Sequence, residues 1–237
     1  MIQAAGPNFL VVGGQKCGST SLERYLRQHP SVGMAQPKEL RFFSGEADPE
    51  VPSAAIASEE IRDIGEYQRY FHGCRHKPLR GEASPSYLFY PWAASRIRAA
   101  YPEIKIVGIL RNPRDRAISE YWHHWRMGRK VGFSRRRFFA SEPINDQPDV
   151  ADYRDCIRRG IYAPQVRAYT EVFPVGQLLW LRFEDLMVDA QATMNRVFMF
   201  LGLPAVVLSD TTAFNEGVRP GRLSKLWLDF MALLLVE

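Results

Sequence analysis

The stretch Phe9-Leu-Val-Val-Gly-Gly-Gln-Lys-Cys-Gly-Ser-Thr-Ser21 constrains the fold of this chain more than any other. An apolar run stops at Gly13 and Gly14, a short polar loop follows, and Leu22, Tyr25 and Leu26 then fall on one helical face. The pattern reads as a buried strand, a glycine turn and a helix N-terminus. Backbone N–H groups and the positive end of a helix dipole converge there, which makes a cradle for an anion, most often phosphate. The same pattern is also compatible with a plain tight strand–helix turn bearing a surface lysine.

Gly13 and Gly18 have the spacing of the G-x-x-x-x-G phosphate loop, but Ser19 stands where the usual lysine would follow. The lysine is Lys16, inside the loop. A cation moved three residues earlier points to an anion other than a Mg²⁺-bound triphosphate.

A second strand–turn–helix begins at Lys105-Ile-Val-Gly-Ile-Leu110 and breaks at Arg111-Asn-Pro-Arg-Asp115. Ile118, Tyr121, Trp122 and Trp125 follow at helical spacing. Arg111 therefore sits at the carboxyl end of a strand, where open α/β sheets bind ligands. With Ser119 it is placed to clasp a second phosphate; an ion pair of Arg111 with Asp115 or Glu120 is the alternative.

Elsewhere, the helix from Ser19 is expected to end at His29-Pro30. Lys38-Glu-Leu-Arg-Phe-Phe43 reads as a polar loop entering an aromatic pair, and Glu50–Ser58 as a surface loop. Ile61, Ile64, Tyr67 and Phe71 roughly follow a helical stripe, and Gly81–Phe89 reads as a short strand and turn. Pro91 is placed to open a helix carrying Ile97 and Ala100 inward. Tyr153–Arg159 reads as helix, and Gly160-Ile-Tyr162 opens another with Val166, Tyr169 and Phe173. Gln177–Phe183 reads as a further strand. Asp189 is expected to cap a helix bearing Met194, Val197, Phe198 and Leu201, stopped by Gly202. Strands alternating with helices at this spacing give an α/β fold, a parallel sheet covered on both faces.

The 237 residues suit one domain, with a net charge of +5 built from 25 Arg and 6 Lys. Arginine suits phosphate, sulfate and carboxylate oxygens, although codon bias explains the count equally well. The basicity is spread through the chain without an aromatic–basic recognition motif, which argues against nucleic acid. The basic run Gly128–Pro148, with Arg135–Arg137, is a solvated face or the lining of a groove for an acidic polymer. Cys17, Cys74 and Cys156 have neither metal-ligand spacing nor a disulfide framework, though an oxidising compartment would permit a Cys74–Cys156 bridge. Cys17 reads as a small residue beside phosphate, since no His/Asp arrangement supports a nucleophile. The apolar Leu226–Val236 is too short to span a bilayer and reads as a packed terminal helix.

With both landmarks in place, the chain resembles the P-loop sulfotransferases that use 3′-phosphoadenosine 5′-phosphosulfate (PAPS). It is most similar to the carbohydrate branch acting on heparan and chondroitin sulfates. The resembling segments are Phe9–Pro30, Lys38–Phe43, Gly81–Tyr87, Lys105–Tyr121, Gly160–Tyr162, Leu179–Asp185 and Phe200–Pro204. The resemblance implies a three-layer, P-loop nucleotide-binding-like sulfotransferase fold and a single sulfotransferase domain over residues 1–237. PAPS is then the co-substrate and no metal is required. Lys16, Cys17, Gly18, Ser19 and Thr20 would hold the 5′-phosphosulfate, with Lys16 near the bridging oxygen, where charge grows as the S–O bond breaks. Arg111 and Ser119 would hold the 3′-phosphate, and Tyr162 would join the donor site. Glu39, just before the aromatic pair, would be the base; without the resemblance it reads as a carboxylate paired with Lys38 or Arg41. The implied acceptor is a hydroxyl, less readily an amine, of an anionic polysaccharide. A nucleotide kinase, or a donor-binding relic, are the other readings.

Two departures stand out. Heparan-type members carry a lysine after the glutamate of the Ser-Pro/Ala-x-Tyr motif, whereas Ala83 follows Glu82 here, a form closer to the chondroitin and dermatan type. After Phe214-Asn215 the basic glycine loop is reduced to Gly217–Arg222, so about 216–237 reads as truncated or divergent, with Arg219 or Arg222 as substitutes. The resemblance implies the Golgi lumen for a eukaryotic catalytic domain and the cytoplasm for a bacterial enzyme; no membrane anchor is read in this chain.

Overall fold

A computed structural model describes residues 6–45, 61, 63–126 and 157–212. Five parallel strands form one sheet: β1 (Phe9–Gly13), β2 (Val32–Met34), β3 (Leu79–Ala83), β4 (Lys105–Leu110) and β5 (Leu178–Arg182), in the order β2-β3-β1-β4-β5. β1 is central, pairing Phe9 with Gly81 on β3 and with Lys105 on β4. Among the described residues the α-helices are α1 (Ser19–Arg27), α2 (Ile64–Arg69), α3 (Ala93–Ala100), α4 (Pro113–Arg126), α5 (Tyr162–Thr170), α6 (Phe183–Val188) and α7 (Ala190–Leu201).

β1 shows why the sheet must be covered on both sides. Phe9, Leu10, Val11 and Val12 are all fully buried. Phe9 and Val11 join Leu22, Leu26, Met194, Val197 and Phe198 in one core, while Leu10 and Val12 join Tyr67, Tyr87, Ile97 and Tyr169 in the other. A strand has period two, so one apolar run feeds two cores on opposite faces. This is the α/β three-layer arrangement expected from the sequence.

Helix ends follow their signals. Asn112 Oδ1 accepts the N–H groups of Arg114 (3.0 Å) and Asp115 (3.3 Å), and Pro113 opens α4 where no N–H is needed. The Asp189 side chain accepts the Ala192 N–H at 2.8 Å, and Gly202 ends α7 in the left-handed region at φ 80°.

Four expectations need correction. β2 was not anticipated: three residues at a sheet edge give no readable period. α6 follows β5 directly, so Phe183 is helical rather than the end of a strand. α3 begins at Ala93, after a turn in which the Ala93 N–H donates to the Tyr90 carbonyl, and Ala100 is exposed although Ile97 is buried. On α4, Tyr121 is buried but Ile118 and Trp122 are only half-buried. Arg116 and Glu120 take the buried face instead, joined as an i,i+4 ion pair. Of the Tyr153–Arg159 helix only the end is described, with Ile157 and Arg158 helical. The readings at Glu50–Ser58, Gly128–Pro148, Cys156 and everything after Thr212 lie outside the described residues.

Candidate functional site

The cradle forms where β1 can no longer continue. Gly13 has φ 151°, and a Cβ there would stand 2.3 Å from the Ile109 carbonyl oxygen of β4. The Gly14 N–H donates to that same oxygen at 3.2 Å. Gly18 turns the chain into α1 at φ 90°, and no side chain caps the helix. A Cβ on Gly18 would lie 2.6 Å from the Phe183 ring. Between these glycines Lys16 holds φ 67°, a left-handed conformation that a side chain disfavours and that persists only where the surroundings impose it.

Arg111, one residue past β4, reaches this loop. Its Nη1 donates to the Lys16 carbonyl at 3.2 Å, and its guanidinium lies 4.5 Å from the centre of the Phe183 ring. The ion-pair alternative for Arg111 does not extend to Glu120, whose partner is Arg116. Ser119 lies half-buried in the second turn of α4. Tyr162, the first residue of α5, packs over the cradle with its hydroxyl 3.5 Å from Cys17 Sγ. Cys17 is fully buried within the core under the loop, and burial pushes its thiol up to about 11. That keeps it protonated at neutral pH and removes it as a nucleophile. Any contact of Cys17 with a ligand in the cradle must therefore come from its backbone. Burial and then the neighbouring Cys17 raise the Tyr162 phenol as well.

Glu39 stands on a loop joined to this cradle by a lysine. Lys38 Nζ donates to Glu39 Oε1 at 2.8 Å and to Thr20 Oγ1 at 3.3 Å. Arg41 Nη2 donates to the other oxygen of Glu39, also at 2.8 Å. Burial favours protonation of Glu39, but Lys38 and Arg41 together outweigh it and hold the carboxyl below its ordinary range. The pairing expected from sequence with Lys38 or Arg41 thus occurs with both. Glu39 and Arg41 are themselves left-handed, at φ 63° and 56°.

Sequence reasoning assigned no role to Phe183, Arg116 or Glu82, and gave Lys38 only as a possible partner of Glu39. Lys38 was legible as part of the Lys38–Phe43 segment, but its bridge to Thr20 depends on where the loop lies. Phe183 carries no signal of its own; it matters because Gly18 and Arg111 both press on it.

Residues 6–218 match the family described as "Sulfotransferase domain". The chain is 28% identical over 226 residues to bifunctional heparan sulfate N-deacetylase/N-sulfotransferase 2 of Bos taurus, covering 89% of this chain and 24% of that protein. It is 30% identical over 213 residues to heparan sulfate glucosamine 3-O-sulfotransferase 6 of Mus musculus, covering 88% and 56%. The chain thus spans about a quarter to just over half the length of these relatives. Among solved structures it is similar to a sulfotransferase from Alicyclobacillus acidocaldarius, at 36% identity and a TM-score of 0.78, covering 96% of this chain and 92% of that one.

Proposed function

The chain belongs to the sulfotransferase family, and from that premise we propose that it moves a sulfuryl group from PAPS to a carbohydrate hydroxyl as a single catalytic domain. The proposed acceptor is an anionic polysaccharide of the glycosaminoglycan kind, in keeping with the heparan sulfate enzymes it is similar to. The observation that carries this reading is the bridge made by Lys38. It joins the proposed base, Glu39, at 2.8 Å to Thr20 on the first turn of α1, at 3.3 Å, which supports reading base and cradle as parts of one site.

The residues fit the donor's anionic groups. An uncapped N-terminus of α1, backbone packed too tightly for a Cβ at Gly13 and Gly18, and Lys16 within the loop suit a 5′-phosphosulfate. Arg111, anchored on the Lys16 carbonyl and Phe183, suits a second phosphate together with Ser119. When bound, the donor supplies a sulfuryl group on a phosphate leaving group. Lys16 then stabilises the charge that develops on the bridging oxygen. Gly18, Ser19, Thr20 and the Cys17 backbone orient the 5′ end, and Tyr162 closes the cradle from α5. Glu39 accepts the proton of the acceptor hydroxyl as the new O–S bond forms and the old S–O bond breaks. Lys38 and Arg41 make it a weak base but keep it ionised, and a carboxylate within hydrogen-bond reach still assists proton removal.

Transfer of labelled sulfate from PAPS to heparosan, N-desulfated heparin, chondroitin and dermatan tests this reading. Lys16→Ala is expected to lower kcat about 10²–10³-fold and Glu39→Gln about 10²–10⁴-fold. Labelling confined to the free amines of N-desulfated heparin would replace the hydroxyl by an amine. 3′-Phosphoadenosine 5′-phosphate (PAP) should raise Tm well beyond ATP–Mg²⁺. Equal stabilisation by ATP–Mg²⁺ with no transfer to any acceptor would overturn the proposal.

A further inference from the structure

Under the loop that carries Glu39 lies a second carboxylate, for which the proposed reaction has no use. Glu82, near the end of β3, is 1% exposed. The Tyr67 hydroxyl donates to its Oε2 at 2.6 Å, and the Tyr87 hydroxyl lies 3.0 and 3.1 Å from its two oxygens. The Ser84 hydroxyl donates to it as well. All three hydroxyls are placed to donate, an arrangement that satisfies an ionised carboxylate. Burial pushes its carboxyl up, and these donors offset part of the rise.

The donors also show what the carboxylate is for. Leu40 lies between Glu39 and Arg41, two residues without glycine's freedom that both hold left-handed backbone. Such a turn persists only when its surroundings over-determine it. Its backbone leads to Glu82 through one hydroxyl: Arg41 N–H donates at 3.1 Å to Ser84 Oγ, which itself donates to Glu82. Phe43, at the end of the same turn, meets the rings of Tyr67 and Tyr87 at 5.3 and 5.6 Å, so the phenols that hold Glu82 also seat the loop.

We propose that Glu82 is a positioning residue: its buried carboxylate is the template on which the strained turn folds, and it holds Glu39 toward the acceptor. This rests on the reading of Glu39 as the base. An amide at position 82 would substitute poorly, because one acceptor oxygen would become an NH2 and one of the hydroxyls that donate to the carboxylate would have to turn and accept instead.

The test is a double-mutant cycle on kcat, measured with labelled PAPS and N-desulfated heparin or heparosan, beside the Kd of PAP. Glu82→Gln is expected to lower kcat about 10–100-fold and to leave the PAP Kd within about 3-fold, because it acts through Glu39 and not through the cradle. In a Glu39→Gln background it should lower kcat less than about 2-fold further. Ser84→Ala keeps the carboxylate and removes the acceptor for Arg41 N–H together with one of the hydroxyls that donate to Glu82. It should lower kcat about 3–10-fold, again only when Glu39 is present. It should also speed amide exchange at Arg41 about 10-fold while leaving α1 unchanged. Wild-type kcat in Glu82→Gln overturns the proposal, and so do equal losses in both backgrounds, the mark of a merely structural role. If Glu82→Gln does not fold, Ser84→Ala decides by the same two readouts. A fully active Glu39→Gln would remove the base reading, and the exchange measurement would still report whether Glu82 anchors the turn.

Discussion

Replacing Gly18 by alanine should separate the two demands that the cradle makes on its backbone. At φ 90° an alanine pays the left-handed penalty of about 1–2 kcal/mol. Its Cβ would also stand 2.6 and 2.9 Å from two carbons of the Phe183 ring, so the ring must move, at about 1–3 kcal/mol. The sum is about 2–5 kcal/mol, or a fall in Tm of about 4–20 °C for a chain of this size. Gly202 supplies the control. It too is left-handed, at φ 80°, but a Cβ there would meet nothing within 4 Å, so Gly202→Ala should show the backbone penalty alone. The functional effect should differ more sharply than the stabilities. Phe183 supports the Arg111 guanidinium at 4.5 Å, and moving it displaces the group proposed to hold the 3′-phosphate. Losing one charge-assisted hydrogen bond of about 1.5–3 kcal/mol weakens PAP about 10–150-fold. Calorimetric titration of both variants with PAP, alongside thermal unfolding, measures each part. If Gly18→Ala binds PAP like Gly202→Ala, the proposed link from Gly18 through Phe183 to Arg111 is refuted.

The ionisation of Glu39 gives a second prediction. Lys38 and Arg41 are the charged groups facing it, and its lowered pKa means their pairing stabilises the fold above the ordinary carboxylate range and is lost as pH falls through the lowered value. The acid limb of kcat/KM should accordingly lie below pH 4.5 and rise in Lys38→Met, which removes one of the two cations. A limb that stays in place in a pH–rate series would dissociate Glu39 from the rate. Cys17, fully buried with its thiol pushed up to about 11, should resist iodoacetamide at pH 7.5 in the native protein and react on unfolding, as read by mass spectrometry. Asp189→Ala removes the cap of α7 and should lower stability about 1 kcal/mol, or Tm about 2–4 °C, without changing PAP affinity; an unchanged Tm would mean the cap does not contribute.

The strand–turn–helix units built on β1 and β4 were legible because each joins an apolar run to a hard stop, Gly13-Gly14 in one and Asn112-Pro113 in the other. Asp189 and Gly202 bounded α7 for the same local reason. The face of α4 was misread, since period alone assigns burial to Ile118 and Trp122 while Arg116 and Glu120 are buried as an ion pair. The motif around Glu39 was readable, but its left-handed backbone was not: no glycine marks the turn. Its proposed support comes from the end of β3, since Arg41 N–H meets Ser84 Oγ only once the sheet has formed. Neither the bridge from Lys38 to Thr20 nor the seat of Arg111 on Phe183 follows from local pattern, because each joins segments that meet through the fold.

The register of the sheet also bears on how enzymes of this architecture can be re-engineered. Glu82 stands opposite Leu10, and Ala83 opposite Val11, on the strand that runs into the cradle. Neighbouring strands lie about 4.8 Å apart, a spacing fixed by backbone hydrogen bonds. The Glu39 turn is fastened to β3 at its start by the Ala35 N–H on the Gly81 carbonyl, and farther along by Ser44 and Ser86, whose hydroxyls are 3.3 Å apart. Residues 35–44 together with β3 and the turn after it therefore make a natural cassette. Transplanted between relatives as one piece, it would keep the contacts that hold the turn. Transplanted without β3, the same loop would arrive with nothing to hold its backbone.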